Sequence, residues 1–343
     1  MAKQDRIDII KKLEAERHTH VIAYVTSTRQ NLEVPMAMDS IRKIYEHLRL
    51  IDKPKGKHNI DLFLHSNGGD GTVPWRLVTL IREYAAKFSV LVPHRAFSAA
   101  TLTALGADSI VMHPMGMLGP TDPTVGNPFN PVNPLTNQPI GISVEDVSAY
   151  IALIKEDAGI QHEDELVQAF NKLADNVHPL ALGNVKRSIS QSRMMAEKLL
   201  ALHMNMKTDE HKVSEIVDKL TSKLFFHGHP INRREAKEQV GLEKVEYPPS
   251  IVEDLMWQLY LDYEQEIKME EPFQPAMEFV SQVQQPRPNE PKVTEVTTAK
   301  LVFVESMQRT DVDSLDYQLC GTLQPDGSTH VNMITRRRGW VTE

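Results

Sequence analysis

From its start to Met112 the chain alternates two periodicities without a break, and that alternation leaves few folds open. Residues 4–17 place Ile7, Ile9, Ile10 and Leu13 on one helical face among Lys and Glu. His20–Thr26 (HVIAYVT) is β-branched and aromatic and reads as a strand. Met36–Leu50 returns to helical spacing through Ile41, Ile44, Tyr45 and Leu48. Ile60–His65 (IDLFLH) is a second strand, and Val73–Phe88 an amphipathic helix built on Trp75, Leu77, Val78, Ile81 and Tyr84. Phe88–Pro93 is a third strand, Ser98–Gly106 a helix and Asp108–Met112 a fourth strand. Such alternation predicts an α/β fold with a largely parallel sheet covered by helices.

Beyond Gly119 the rhythm stops. Gly119–Gly141 (GPTDPTVGNPFNPVNPLTNQPIG) is too dense in Pro, Asn and Gly for a regular element and is long for a connection. It is expected either to wall a site or to run over the surface. Helices are predicted over 144–158, 163–174, 183–203, 214–220 and 250–269. Residues 271–296 turn rich in Pro and Gln and read as a linker or arm. Strands follow over 299–306, 317–323 and 329–335, the last two joined by a turn at Pro325-Asp326-Gly327. Three such strands are marginal alone and gain stability by docking on the main domain or on a neighbouring subunit. The expected organisation is a main domain over 1–270, an arm over 271–296 and a small β-rich element over 297–343.

Charge and cysteine content narrow the partners. A net charge of −8 argues against nucleic acid, and Arg336-Arg337-Arg338 is too short a cluster to reverse it. The single cysteine, Cys320, excludes an intramolecular disulfide and a Cys-rich metal site, and fits a reducing cytoplasm. The first residues, MAKQDRIDIIKKLEAERH, are charged throughout and do not read as a secretory signal. No run of 18 apolar residues occurs, so no membrane span is expected.

The residues that carry chemistry cluster at strand ends. Ser98 stands between the third strand and a run of small helix formers, Ala99 to Leu105. A serine at such a turn is either an N-cap or a nucleophile whose Oγ sits among free backbone N–H groups. Gly68 and Gly69 follow the second strand directly. They lack the spacing of a dinucleotide fingerprint and the lysine of a Walker loop, which leaves a tight turn or an oxyanion hole shared with the N–H of Ala99. Adjacent parallel strands bring these two turns to the same edge, where α/β sheets place their sites. A serine nucleophile needs a base and an orienting group. Asp122, between Pro120 and Pro123, is held in a fixed direction. Candidate bases are His94, His113, His178, His227, His229 and, as a serine–lysine dyad, Lys155. His227-Gly228-His229 lacks a further partner at metal-ligand spacing, so no metal is expected.

In order, SNGGDG (66–71), HRAFSAATLTALGADSIVM (94–112), MLGPTDPTVG (117–126) and HGHPINRREAKEQVGL (227–242) resemble the serine dehydrogenase proteinase family. That family is distantly related to Clp-type proteases and signal peptide peptidases within the crotonase-like superfamily, and the resemblance covers most of residues 5–245. It implies a crotonase/Clp-protease-like parallel-sheet core, a peptide or protein substrate, a homo-oligomer and no cofactor, and the small C-terminal β extension lies outside it. A Ser, Asp, His triad in that chain order falls on Ser98, Asp122 and His227, with oxyanion glycines at Gly68 and Gly69. As a single chain such a peptidase would act without ATP. Where many relatives carry two glycines after the nucleophile this chain has Ala99 and Ala100, and Gly228 stands at a family aspartate. Those departures frame the rival expectation, a catalytically silent scaffold that binds peptides or a partner. An acyl-thioester enzyme sharing the oxyanion hole would have no use for Ser98.

Overall fold

The computed structural model describes residues 3–51, 56, 58–121, 124–125, 128–133, 137, 140–223, 228–283, 290–324 and 329–343. The alternation read from the sequence becomes α1 (Lys3–Arg17), β1 (His20–Thr26), α2 (Asp39–Leu48), β2 (His58–His65), α3 (Val73–Arg82) and β3 (Ala85–Val92). It continues through β4 (Arg95–Ala96), α4 (Ala99–Leu105) and β5 (Ser109–Met112). Strands β1, β2, β3 and β5 pair in parallel. Their near-continuous apolar runs follow from burial on both faces. On one face Ile22, Tyr24, Ile60, Leu62, Leu64, Val90 and Val92 pack with residues of α2, α3 and α4. On the other, Val21, Ala23, Val25, Phe63, Leu91 and Val111 pack against α1 and the later helix α10 (Ser250–Ile267). The predicted helix 73–88 is shorter than expected. Arg82, in its last turn, bonds Gly106 O and Asp108, while Ala85 to Leu91 pair with β2. Sheet pairing thus overrides a helical periodicity that Tyr84 and Phe88 had extended.

The middle of the chain covers the first face. After β6 (Met117–Leu118), a ribbon of β7 (Thr124–Val125) and β8 (Ile142–Ser143) leads to α5 (Val144–Ala152), α6 (Glu163–Ala174), α7 (Pro179–Leu200) and α8 (Glu210–Asp218). Next come β9 (Ile231–Asn232), the one-turn helix α9 (Arg233–Glu235) and β10 (Val245–Glu246), which lies parallel to β5. A second small sheet, in the order β4, β6, β9, gathers the serine turn, the Gly119 segment and the His229 segment side by side.

Beyond α10, Pro275–Gln282 forms helix α11 where an extended arm was expected, followed by β11 (Lys292–Val293). The three C-terminal strands, β12 (Thr297–Ser306), β13 (Arg309–Leu323) and β14 (Thr329–Thr342), continue the main sheet: β12 pairs antiparallel with β1, and the sheet reaches nine strands among the described residues. β13 starts well before the predicted 317–323: Arg309–Asp316 (RTDVDSLD), whose three aspartates give it no strand-like pattern, already pairs with β12. Two of those charges are matched by cations, and the third, Asp316, accepts from Thr298 Oγ1. Asp311 bonds Lys43 and Arg309, and Asp313 faces Arg338. Burial raises the Asp311 carboxyl, but hydrogen bonds from Arg309, Thr342 and Lys43 hold it well below the usual carboxylate range. Arg6 of α1, 1% exposed, likewise bonds Glu305 of β12 at 2.8 Å and Asp262 of α10 at 2.7 Å. Buried charges in such networks look polar in sequence yet tie three elements together. Among the described helices none is long and apolar enough to cross a membrane.

Candidate active site

Ser98 adopts φ 52°, ψ −113°, a conformation sparsely populated by any L-residue. Holding it there costs on the order of 1–3 kcal/mol and requires surroundings that over-determine the turn. They do. Phe97 N–H donates to Ser66 O, Ser66 N–H to Arg95 O, Ala100 N–H to Phe97 O and Leu102 N–H to Ser98 O. Thr101 Oγ1 then bonds both Ala96 O at 2.7 Å and Gly119 O at 2.9 Å, fastening the serine turn to the segment that precedes Asp122. Ser98 stands at the N-cap position of α4, but its side chain makes no capping hydrogen bond. Its Oγ therefore keeps no local partner among the described residues.

The glycine turn lies directly against it. Gly68, at φ +97°, has no room for a side chain: a Cβ would stand 2.7 Å from Phe97 O, 2.8 Å from Ser98 Cβ and 3.0 Å from Ala99 N. Gly69, at φ +155°, would collide with Met36 O and N at 2.4 and 2.5 Å. Met36 N–H donates to Gly68 O and Asp70 N–H to Met36 O, closing one side of the turn. Gly68 N–H donates to Ser66 Oγ at 3.0 Å, and Ser66 Oγ is fixed in turn by Thr26 Oγ1 at 2.8 Å. Gly69 N–H and Ala99 N–H have no backbone acceptor among the described residues. Of the two glycines, Gly69 is the one with a donor to offer, and Gly68 supplies the close approach.

Ser98, Ala99, Gly69, Asn67 and Thr121 line a cavity of about 310 Å³, closed from the α7 side by Ser188, Gln191 and Ser192. Ser192 Oγ donates to Thr121 O at 2.5 Å, and Thr121 N–H to Leu220 O at 2.9 Å, which anchors the residue next to Asp122. Asp122 and His227 themselves lie outside the described residues. His229 Nε2 is 2.7 Å from Glu235 Oε1, a contact in which the ring donates to the carboxylate. Asn232, which caps α9 through Arg234 N–H and Glu235 N–H, sets Glu235 in place. The hydroxyls of Ser66 and Thr101 and the partnership of Glu235 carry no periodic signal in the sequence, and none stood out there.

Three other histidines near the strand ends are packed into the fold. His65 is fully buried, and burial, helped by His94 and Arg95, pulls its pKa down to about 3. His94 bonds Tyr260 OH at 2.8 Å and is pulled to about 4, mainly by burial. His113 stacks on Trp257 at 5.1 Å, and burial lowers it too. His178 caps α7 by accepting from Leu180 N–H. Lys155 is exposed on a π-helical turn over Leu153–Asp157 and lines a separate groove with Ile151, Leu166 and Phe170.

Residues 1–177 match the ClpP-like SDH-type serine proteinases. Two proteins of Methanocaldococcus jannaschii, both described as uncharacterised, are each 28% identical to the chain. One aligns over 73% of the chain and 75% of its own length, the other over 73% and 77%. Among solved structures, a mutant of the membrane-bound stomatin-specific protease 1510-N aligns at 15% identity and a TM-score of 0.34, over 62% of this chain and 74% of that one. A second mutant of it, in complex with a substrate peptide, aligns at 15% identity and a TM-score of 0.24, over 64% and 90%.

Proposed function

The chain belongs to the ClpP-like SDH-type serine proteinases, and from that membership we propose that it hydrolyses peptide bonds with Ser98 as nucleophile. Ser98 Oγ adds to the scissile carbonyl carbon while its proton passes to the base. The carbonyl oxygen takes up the negative charge between Gly69 N–H and Ala99 N–H. Collapse expels the amine, which leaves with the proton from the base, and water then releases the acyl group from Ser98 by the same route. The observation that carries this reading is the Ser98 turn itself, strained, braced from both sides and without a capping bond, beside two N–H groups that have no backbone acceptor among the described residues. A serine kept only for packing gives no reason to maintain that conformation.

By the resemblance, Asp122 and His227 complete the triad, with His227 as base and Asp122 as its orienting carboxylate. A second assignment has its own observation, the His229–Glu235 pair, in which a carboxylate already orients an imidazole. Either base gives the same reaction. Assembly into a homo-oligomer and turnover without ATP belong to the same proposal. So does a cytoplasmic setting, which rests on the lone Cys320. The test is turnover of an unfolded protein substrate by wild type and by Ser98→Ala. Hydrolysis that survives in the alanine variant would discard Ser98 as the nucleophile, and a folded wild type inert on all unfolded substrates would favour a binding scaffold.

A further inference from the structure

Strand β14 is the open edge of the sheet. It pairs with β13 along its whole length and with nothing else among the described residues. Its two halves differ. Arg336, Arg337 and Arg338 carry charge and stand at a bulge between Asp316 and Tyr317 of the partner strand, both of which blunt an edge against pairing. Thr329–Thr335 (THVNMIT) carries no carboxylate, lysine or arginine, and exposes Met333 by 41% and Ile334 by 37%. Helix α11 lies against this half: Phe279 reaches Gly321, which pairs with Val331, while Met277 and Val280 of the same helix remain 67% and 45% exposed. An unblunted strand edge beside an apolar helix face marks an interaction surface.

We propose that this surface is where two copies of the chain meet, with Thr329–Thr335 of one pairing antiparallel with the same segment of the other. The segment is nearly palindromic about Asn332. A two-fold axis there sets Val331 opposite Met333, His330 opposite Ile334 and Thr329 opposite Thr335, so apolar and Thr–Thr pairs form across the strands. The arginines fall outside the paired stretch, at opposite ends of the joined edge, and no like charges are brought together. Seven residues give a ladder of about 23 Å. That alone is short of the roughly 1,200 Å² a stable interface buries, and the exposed face of α11 supplies the adjoining apolar area.

The proposal is independent of the catalytic reading, and it is tested on the full chain by light scattering over a range of concentrations. The expected result is a wild-type assembly whose mass halves in Ile334→Lys and in Met277→Lys, with an unchanged circular dichroism spectrum. A complementary variant, Asn332→Cys, should cross-link to its own copy under mild oxidation. It is made in a Cys320→Ser background because Cys320 faces Asn332 across β13 and β14. A wild type at monomer mass at every concentration would overturn the proposal, as would an assembly unaffected by both lysine variants. A monomer that instead captures extended peptides on this edge would also overturn it, in favour of strand addition by another chain.

Discussion

Two groups of histidines border the ends of the parallel strands, and the fold treats them in opposite ways. His65, His94 and His113 lie behind the sheet against Tyr260 and Trp257 of α10, where burial keeps their rings neutral and stacking fixes them. His229 stands just before β9 of the small sheet, with its side chain 38% exposed, and is oriented by Glu235. Closeness in sequence to Ser98 favours His94, only four residues away, yet burial against α10 pulls its pKa down to about 4, and the ring resists taking a proton. A base must be oriented and still able to take a proton. The difference between the groups teaches that surroundings, not sequence distance, set how readily a ring takes a proton.

The largest effect expected is from Ser98→Ala. Turnover should fall by at least about 10⁴-fold, with the melting temperature unchanged, since the hydroxyl makes no capping bond in the folded chain. Loss of the base comes next: of His227→Ala and His229→Ala, one should lower kcat by about 10²–10⁴-fold, while His94→Phe leaves kcat within a few fold. If His94→Phe abolishes turnover of a folded protein, the contrast between the two groups fails. Gly69→Ala, which forces a Cβ into Met36, should displace the free donor and cost about 10²–10³-fold in kcat, read with a stability measurement alongside.

Smaller effects follow from the buried rings. His65 and His94, with His47 at about 4 as well, stay neutral in the folded chain well below the value near 6.5 of an unfolded histidine. Between about pH 6.5 and 4 the unfolded chain therefore binds protons that the folded chain refuses, and stability falls as pH falls, by at most about 1.4 kcal/mol per pH unit per ring. Above pH 6.5 these rings add no slope. Urea midpoints measured from pH 8 to 4 should show the decline, and His65→Phe should make it shallower. Tyr260→Phe, which removes the bond to His94, should cost about 1 kcal/mol without moving kcat.

Much of this was legible in the sequence because it rests on burial patterns. The runs HVIAYVT and IDLFLH are buried on both faces, and the turns at Gly68 and Ser98 meet because parallel neighbours end together. Features held by single polar contacts were not legible. Ser66 and Thr101 look like any hydroxyl, and His229 and Glu235 share no single helix or strand whose periodicity would pair them. Arg309–Asp316 hid a strand because two of its three aspartates, Asp311 and Asp313, are matched by cations distant in sequence, Lys43 and Arg338. The early end of α3 is likewise set by pairing with β2, which no local window contains.

The central claim is that the strained Ser98 turn presents a nucleophile, and a fluorophosphonate probe tests it directly. Wild type and Ser98→Ala, both shown to be folded, would be treated with the probe and the adduct located by mass spectrometry of peptides. One phosphonyl group per chain on Ser98, absent from the alanine variant, is the predicted result. A folded wild type that carries no adduct between pH 6 and 9, or carries it equally in the variant, would contradict the account.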